Sequence, residues 1–250
     1  IYYSLAKRLG QDQPVTSLQL FDPAVGLDTM PKTIEEIASQ YVKLIQRVQP
    51  RGPYLLMGWC VAGALAFEVA RQLQSGGQAV DNLYLMDAWV PNYLERLSPL
   101  RRLVNERSLR LQYVVEDFRK KLSAGKSVRE FIVNRMFYKR LLRLIRGGAG
   151  SEPLALGREA SARAEPAGYD MWLLDYLQDL SARYEPKPYD GRITLFRSRR
   201  EPTGYWFDPL AGWGAFALQG VRLHMVDGDH FSMFQEPGAS QMAARIVAGE

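Results

Sequence analysis

The chain has 250 residues, of which 47% are hydrophobic and 24% charged, a composition typical of a soluble globular protein with one substantial core. No apolar run approaches the roughly 20 residues that a membrane-spanning helix needs, so we expect a cytoplasmic protein. One cysteine and two histidines exclude an internal disulfide framework and leave too few ligands for a structural zinc site, so no metal is expected.

The first clear elements are a helix and a strand. Thr33 and Glu36 have the spacing of a capping box, and apolar residues then recur at helical intervals until Pro50 stops the pattern. A short apolar strand, Tyr54–Met57, comes next, and Ala64–Gln74 has the pattern of another helix. The predicted order is therefore helix, strand, sharp turn and helix.

Three further apolar strands are predicted at residues 83–86, 193–196 and 222–226, each followed by a loop rich in Asp, Gly or Pro. Strands that alternate with helices indicate the α/β class, with a mostly parallel sheet flanked by helices. In such sheets ligands bind beyond the carboxyl ends of the strands.

Residues 92–182 break this alternation and carry helical patterns instead. We therefore expect a single domain whose core comprises residues 1–91 and 183–250, with a helical lid inserted between them. Within the lid, residues 101–146 contain 14 Lys and Arg against 4 Asp and Glu. A solvated helical face, an acidic protein partner or nucleic acid would each explain this basic block, but no nucleic-acid-binding motif accompanies it.

The segment Gly58-Trp59-Cys60-Val61-Ala62-Gly63 lies where the first strand passes into a helix, the position of a nucleophile elbow. The turn forces a strained backbone at the nucleophile, so its neighbours must be small, as Gly58, Ala62 and Gly63 are. The usual motif has Gly at the position of Ala62 and usually Ser at that of Cys60. A lone Cys is often only a small buried residue, but this position predicts a nucleophile.

A cysteine nucleophile needs a base, and the chain contains only His224 and His230. His224 lies inside an apolar strand, where a packed or hydrogen-bonded histidine is expected. His230 lies in the loop after that strand, at the same sheet edge as Cys60. We therefore predict that His230 is the base.

The third member of a triad is a carboxylate that orients the histidine. Asp87 directly follows the strand after the elbow's helix. Glu201 follows strand 193–196, where many enzymes of this fold place the acid. Asp229 adjoins His230 and is expected to shape its loop.

Five features together resemble the type I thioesterase domain that terminates nonribosomal peptide synthetases and some polyketide synthases. They are residues 58–63, Asp87, Tyr189-Asp190-Gly191-Arg192-Ile193-Thr194-Leu195-Phe196-Arg197, Gly212-Trp213 and Gly228-Asp229-His230. The similarity covers nearly the whole chain and is weakest in the lid. In that family the acid follows the strand after the nucleophile's helix, which selects Asp87 over Glu201.

The resemblance implies an α/β-hydrolase fold and an acyl-enzyme loaded from the phosphopantetheine of an upstream, acidic carrier protein. The domain itself would bind no cofactor. One oxyanion donor is expected to be the backbone N–H of Val61. The other is expected in a strand and His-Gly type loop before Ile1, because the chain begins like the helix that follows that loop.

The usual Ser of the family is replaced by Cys60, as a natural or an introduced residue. If it is natural, the acyl-enzyme remains an activated thioester. This favours closure of a strained β-lactone or β-lactam ring over hydrolysis or macrocyclisation. The alternatives are a discrete editing thioesterase or another acyl hydrolase of the same fold, and a noncatalytic module that grips a carrier protein.

Overall fold

The computed structural model of the chain describes residues 2–18, 30–104, 107, 168–200 and 208–250. Its helices and strands are, in chain order, α1 (Tyr3–Leu9), α2 (Ile34–Val48), β1 (Tyr54–Trp59), α3 (Ala62–Ser75), β2 (Val80–Met86), α4 (Tyr93–Arg96), α5 (Gly168–Arg183), β3 (Ile193–Ser198), β4 (Val221–Val226) and α6 (Gly238–Val247). Short 3-10 helices occupy Trp213–Ala215 and Ser232–Phe234.

The four strands form one parallel sheet in the order β1-β2-β3-β4. Parallel neighbours need a crossover connection, which α3 provides between β1 and β2. Because the strands run in one direction, their carboxyl ends share one edge of the sheet, where the ligand sites of such folds form. The α/β architecture predicted from the alternating pattern is confirmed.

The sheet is covered on both faces, as alternate residues of β2 show. Leu83 and Leu85 belong to a core cluster with residues of α2 and α3, whereas Tyr84 and Met86 belong to a second cluster with residues of α1 and α6. A strand buried on both faces must be apolar along most of its length. This explains why β2 was visible in the sequence.

Helix α2 begins as predicted, with a small difference. The Thr33 hydroxyl accepts from the N–H of Glu36 at 3.1 Å, which is one half of a capping box. The Glu36 carboxylate accepts from the N–H of Lys32 at 2.6 Å rather than from that of Thr33. The helix ends at Val48, two residues before Pro50.

The turn between β1 and α3 is tighter than the sequence predicted. The strand continues to Trp59, beyond the predicted end at Met57, and the helix begins at Ala62 rather than Ala64. Only Cys60 and Val61 therefore connect the two elements.

The chain divides into two compact units. The first comprises Ile1–Arg96, Gly168–Glu201 and Asp208–Glu250, and the second comprises Leu97–Ala167 and Pro202–Phe207. Helix α5 belongs to the first unit, although most of it falls within residues 92–182, the range predicted for the lid. Most of the predicted lid, including most of the basic block, lies outside the described residues.

None of the described helices is long and apolar enough to cross a membrane.

Candidate active site

Cys60 is held in a strained backbone conformation between β1 and α3. Its φ is 55°, in the left-handed region that residues other than glycine rarely adopt. Its N–H donates to the carbonyl oxygen of Met86 at 3.0 Å, which continues the hydrogen bonding between β1 and β2 by one residue. Strain of this kind is found where a fold fixes a functional side chain.

The elbow forms because two of its residues have no side chain. A Cβ on Gly58 would lie 2.6 Å from the carbonyl oxygen of Ala62, and one on Gly63 would lie 2.3 Å from the Cβ of Ala88. Ala62, which departs from the usual glycine of the motif, is the first residue of α3. The steric demand for glycine is therefore documented at Gly58 and Gly63.

Asp87 directly follows β2 and is almost completely buried, with 1% of its surface exposed. Its φ of 42° is also in the left-handed region. One carboxylate oxygen, Oδ1, accepts from the backbone N–H of Ser198 at 2.8 Å. The other, Oδ2, lies 3.3 Å from Nδ1 of His230. Both oxygens of this buried carboxylate are thus engaged at the carboxyl ends of the strands.

His230 lies in the loop after β4 and joins the other two residues. Because Nδ1 faces Asp87, the remaining ring nitrogen, Nε2, is the one available to Cys60. Burial alone would lower the pKa of His230, but hydrogen bonds to Asp87 and to Cys60, together with their negative charges, raise it to about 9. The structure therefore brings the three residues selected from the sequence into one cluster.

Aromatic rings surround the imidazole of His230. The indole of Trp59 stacks on it with ring centroids 4.8 Å apart and an interplanar angle of 29°. Trp89 lies on it at 6.4 Å and 41°, and Phe231 meets it edge to face at 5.1 Å and 82°. The cluster is therefore bordered by apolar surface.

The loop after β3 supports the segment that carries Asp87. The indole N–H of Trp213 donates to the carbonyl oxygen of Ala88 at 2.8 Å. Arg197, buried at the end of β3, donates to the carbonyl oxygens of Asp208 and Pro209 at 3.2 and 2.9 Å. The first bond holds the residue directly after Asp87, and the other two hold residues 208 and 209 at the end of β3.

Asp229 shapes its own loop, as expected. Its carboxylate oxygen Oδ1 accepts from the N–H groups of Phe231 and Ser232 at 3.1 and 2.9 Å. Although burial opposes this, hydrogen bonds led by those from Ser232 hold the pKa of Asp229 below its usual value. Asp229 therefore fixes the loop that carries His230.

His224 and Glu201 are the residues that the sequence analysis passed over as base and acid. His224 lies within β4 and stacks on Phe196 with centroids 5.5 Å apart, while its Nε2 lies 3.8 Å from a carboxylate oxygen of Glu250. Burial lowers the pKa of His224, as do Arg245 and Arg222. It is packed in the sheet, as predicted. Glu201 lies outside the described residues.

Val61 precedes the first residue of α3 and has helical dihedral angles, with φ of −59° and ψ of −31°. N–H groups at the start of a helix have no acceptor within the helix, so they are available to a negatively charged atom. This is the position expected of an oxyanion donor beside Cys60.

The sequence did not single out Ser198 or Trp89, and Arg197 entered it only as the last residue of a family motif. Ser198 acts through its backbone N–H, which any residue except proline provides. Its position at the end of β3, next to the end of β2, is the one signal that could have indicated it. Among the described residues, no three His, Cys, Asp or Glu side chains are grouped so as to hold a metal ion.

The parallel sheet covered by helices on both faces is of the α/β-hydrolase type. The model of the Thioesterase domain family matches residues 1–248, so this chain belongs to that family. The family predicted from the motifs is confirmed.

The relatives are large multidomain synthases. The Dimodular nonribosomal peptide synthase of Bacillus subtilis (strain 168) is 27% identical over 248 residues, which cover 96% of this chain and 9% of that protein. Polyketide synthase PksR of the same organism is 27% identical over 241 residues, with 83% of this chain and 9% of that protein covered. The chain thus spans about a tenth of the length of these relatives.

A solved structure shows the same fold. RedJ-Thioesterase from the Prodiginine biosynthetic pathway in Streptomyces coelicolor matches with a TM-score of 0.56 and 18% sequence identity, over 100% of this chain and 84% of its own.

Proposed function

We propose that this thioesterase domain releases an acyl or peptidyl chain from a carrier protein through an acyl-enzyme on Cys60. The observation that carries the proposal is the cluster of Cys60, His230 and Asp87 at the carboxyl ends of β1, β4 and β2. A nucleophile beside a base that is oriented by a third group is the signature of covalent acyl transfer. Membership of the thioesterase family supports it.

Before the first half-reaction, the proton of the Cys60 thiol passes to His230, as the raised pKa of His230 favours, and the thiolate then attacks the carbonyl carbon of the incoming thioester. Asp87 keeps Nδ1 of His230 protonated, which leaves Nε2 free to accept that proton. The N–H of Val61 stabilises the oxyanion. The bond to the pantetheine sulfur then breaks, and the leaving thiolate takes the proton from His230.

In the second half-reaction, His230 takes a proton from water or from a hydroxyl or amide nitrogen of the acyl chain. The deprotonated atom attacks the carbonyl carbon, the bond to Cys60 breaks, and the Cys60 sulfur regains a proton from His230. Attack by water gives an acid, and attack by the chain's own nucleophile gives a ring.

Cysteine in place of serine favours ring closure. Transfer from one thiol to another is nearly isoenergetic, so the acyl group on Cys60 keeps the reactivity of a thioester. A strained β-lactone or β-lactam can be closed from such an intermediate.

The partner that we propose is an acidic carrier domain that delivers the chain on phosphopantetheine. Two relatives of this chain are a nonribosomal peptide synthase and a polyketide synthase. Delivery on a carrier domain is what the resemblance of its motifs to terminal thioesterase domains implies. The excess of positive charge in residues 101–146 is suited to an acidic surface.

The test is intact-protein mass spectrometry after addition of an acyl N-acetylcysteamine thioester. Wild-type protein should gain the mass of the acyl group, and Cys60→Ala, in which a methyl fits the same space, should gain none. His230→Ala should slow loading by several orders of magnitude. Unchanged turnover by Cys60→Ala would exclude Cys60 as the nucleophile.

The mode of release is read from the product. Cys60→Ser should still load acyl chains but give more hydrolysed acid and less ring, because the ester retains less free energy than the thioester. An unchanged ratio of ring to acid in the serine variant would contradict the role given to sulfur. A product that is only acid in both proteins would identify a hydrolytic or editing thioesterase.

A further inference from the structure

Trp59 makes two contacts with His230, in the loop after β4, and neither contact has a role in the reaction steps described above. Its indole ring stacks on the imidazole of His230 at 4.8 Å. Its indole N–H donates to the backbone carbonyl oxygen of the same residue at 3.2 Å. One side chain therefore constrains both the ring and the main chain of the base.

The position of Trp59 in the sequence couples these contacts to the nucleophile. It is the last residue of β1 and immediately precedes Cys60. Because the two residues are adjacent, a backbone rotation in the elbow that moves the Cys60 sulfur also moves the Cα and Cβ of Trp59. The ring and Cys60 are thus fixed in a common frame by the end of β1.

An alternative role for Trp59 is simple packing in the core. The indole does meet Phe231 and Phe234 edge to face, both at 5.6 Å. Packing alone does not require the indole N–H to be directed at a main-chain oxygen of the loop. Nor does it require near-parallel stacking on the one titratable ring of the cluster.

We propose that Trp59 is a positioning residue that holds the imidazole of His230 in line with Cys60 and Asp87 and favours its imidazolium form. An aromatic face attracts a cation placed over it. The hydrogen bond from the Trp59 indole N–H to the carbonyl oxygen of His230 fixes the position of the His230 backbone relative to the end of β1. This proposal depends on the proposed function of His230 as the base.

Replacing Trp59 removes no charged group from around the imidazole, so a shift in the titration of His230 reports on the loss of the indole. Burial raises the pKa of Tyr2 to about 12, which keeps its hydroxyl neutral. Within the described part of the chain, the charged or titratable groups near the ring belong to several elements. They are Asp87 after β2, Cys60 in the elbow, Asp229 in the loop of His230 with Arg200 acting on it, Tyr2 before α1, and Arg197 on β3, whose guanidinium carbon lies 5.9 Å from the ring centroid of Trp89.

The experiment compares Trp59→Leu and Trp59→Phe with a matched control, Tyr84→Leu. Tyr84 is an aromatic residue of the same core cluster, but it stacks on Phe196 rather than on His230. The titration of His230 is followed by NMR of its labelled imidazole. Turnover is measured with S-octanoyl-N-acetylcysteamine, and the reactivity of Cys60 with iodoacetamide.

Leucine keeps an apolar cover over the imidazole but has no π face, so the pKa of His230 should fall. We expect a fall of about 0.5 to 1 pH unit in Trp59→Leu. We expect kcat to fall roughly 10- to 100-fold with little change in KM, because both the stacking and the hydrogen bond are lost. Trp59→Phe should keep most of the titration but lose part of kcat. The control should leave the titration and the rate of alkylation at wild-type values.

A folded Trp59→Leu protein that titrates like wild type and keeps its kcat would overturn the proposal. If that variant does not fold, Trp59→Phe decides, and an unchanged kcat there overturns it. If wild-type protein does not turn over the thioester, the proposed function fails instead. The NMR titration still shows in that case whether the indole acts on the imidazole.

Discussion

The raised pKa of His230 makes a specific prediction about stability and pH. In the unfolded chain the group titrates near 6.5, and in the folded chain it titrates near 9. This difference corresponds to about 3 kcal/mol, at 1.36 kcal/mol for each pH unit. The conversion is appropriate because only 26% of the side chain is exposed.

The sign follows from which state binds the proton more tightly. The folded protein keeps its proton on His230 to higher pH than the unfolded chain does, so the protonated group favours folding. This contribution is fully present below about pH 6.5 and is lost as the pH rises to about 9. Replacement of His230 by glutamine removes the proton and, with it, this dependence on pH.

The assay is urea unfolding of wild type and His230→Gln at several pH values from 6 to 10, in the presence of a thiol reductant. The free energy of unfolding of wild type minus that of the variant should fall by about 3 kcal/mol across this range. His224→Gln is the control: because the pKa of His224 is lowered, its own difference should be flat above pH 7. A difference for His230 that is also flat, or that grows with pH, would refute the reasoning.

Three further predictions concern the acid, the elbow and the partner. Asp87→Asn should lower the kcat for thioester turnover by roughly 10²- to 10⁴-fold, because an amide facing Nδ1 of His230 favours the wrong tautomer of the imidazole. Glu201→Gln should have little effect. The reverse pattern in steady-state kinetics would transfer the role of acid to Glu201. Gly63→Ala should cost about 1–3 kcal/mol in urea unfolding because its Cβ would lie 2.3 Å from another methyl, while Gly76→Ala, with no contact closer than 3.4 Å, should be tolerated. If residues 101–146 dock the carrier, acylation of Cys60 from a carrier-bound substrate should slow as the salt concentration rises, while acylation from a small neutral thioester should not. Acylation rates that depend equally on salt for the two donors, measured by stopped flow, would indicate that the basic surface is merely solvated.

The sequence predicted the parts of strands and helices whose residues are consistently buried. β2 was recognised from residues 83–86 because both of its faces are buried there, but its first residues, Val80 to Asn82, were missed. Asp81 is exposed, and Asn82 accepts at Oδ1 from the Thr194 hydroxyl at 3.0 Å, a contact that depends on the neighbouring strand. Polar residues whose hydrogen bonds are made to a neighbouring strand add nothing to the hydrophobic periodicity from which strands are predicted.

The same distinction applies to the site. The elbow was predictable because its geometry restricts the residues that fit within a few positions of Cys60. The aromatic surface over His230 was not predictable, because it joins Trp59, Trp89 and Phe231 from three separate parts of the chain. Phe231 adjoins His230 in the chain, but Trp59 and Trp89 come close to the imidazole only after the four strands have assembled into one sheet.

The topology gives a physical reason for the proposed role of Asp87 as the acid, although one strand separates the end of β2 from the loop of His230. β3 lies between β2 and β4, so the histidine must reach across the end of β3 to meet Asp87. The end of β3 supplies the N–H of Ser198 to one oxygen of the carboxylate and leaves the other to His230. The middle strand therefore aims the carboxylate at the histidine. An acid on the loop after β3 would need another donor to be held in this way.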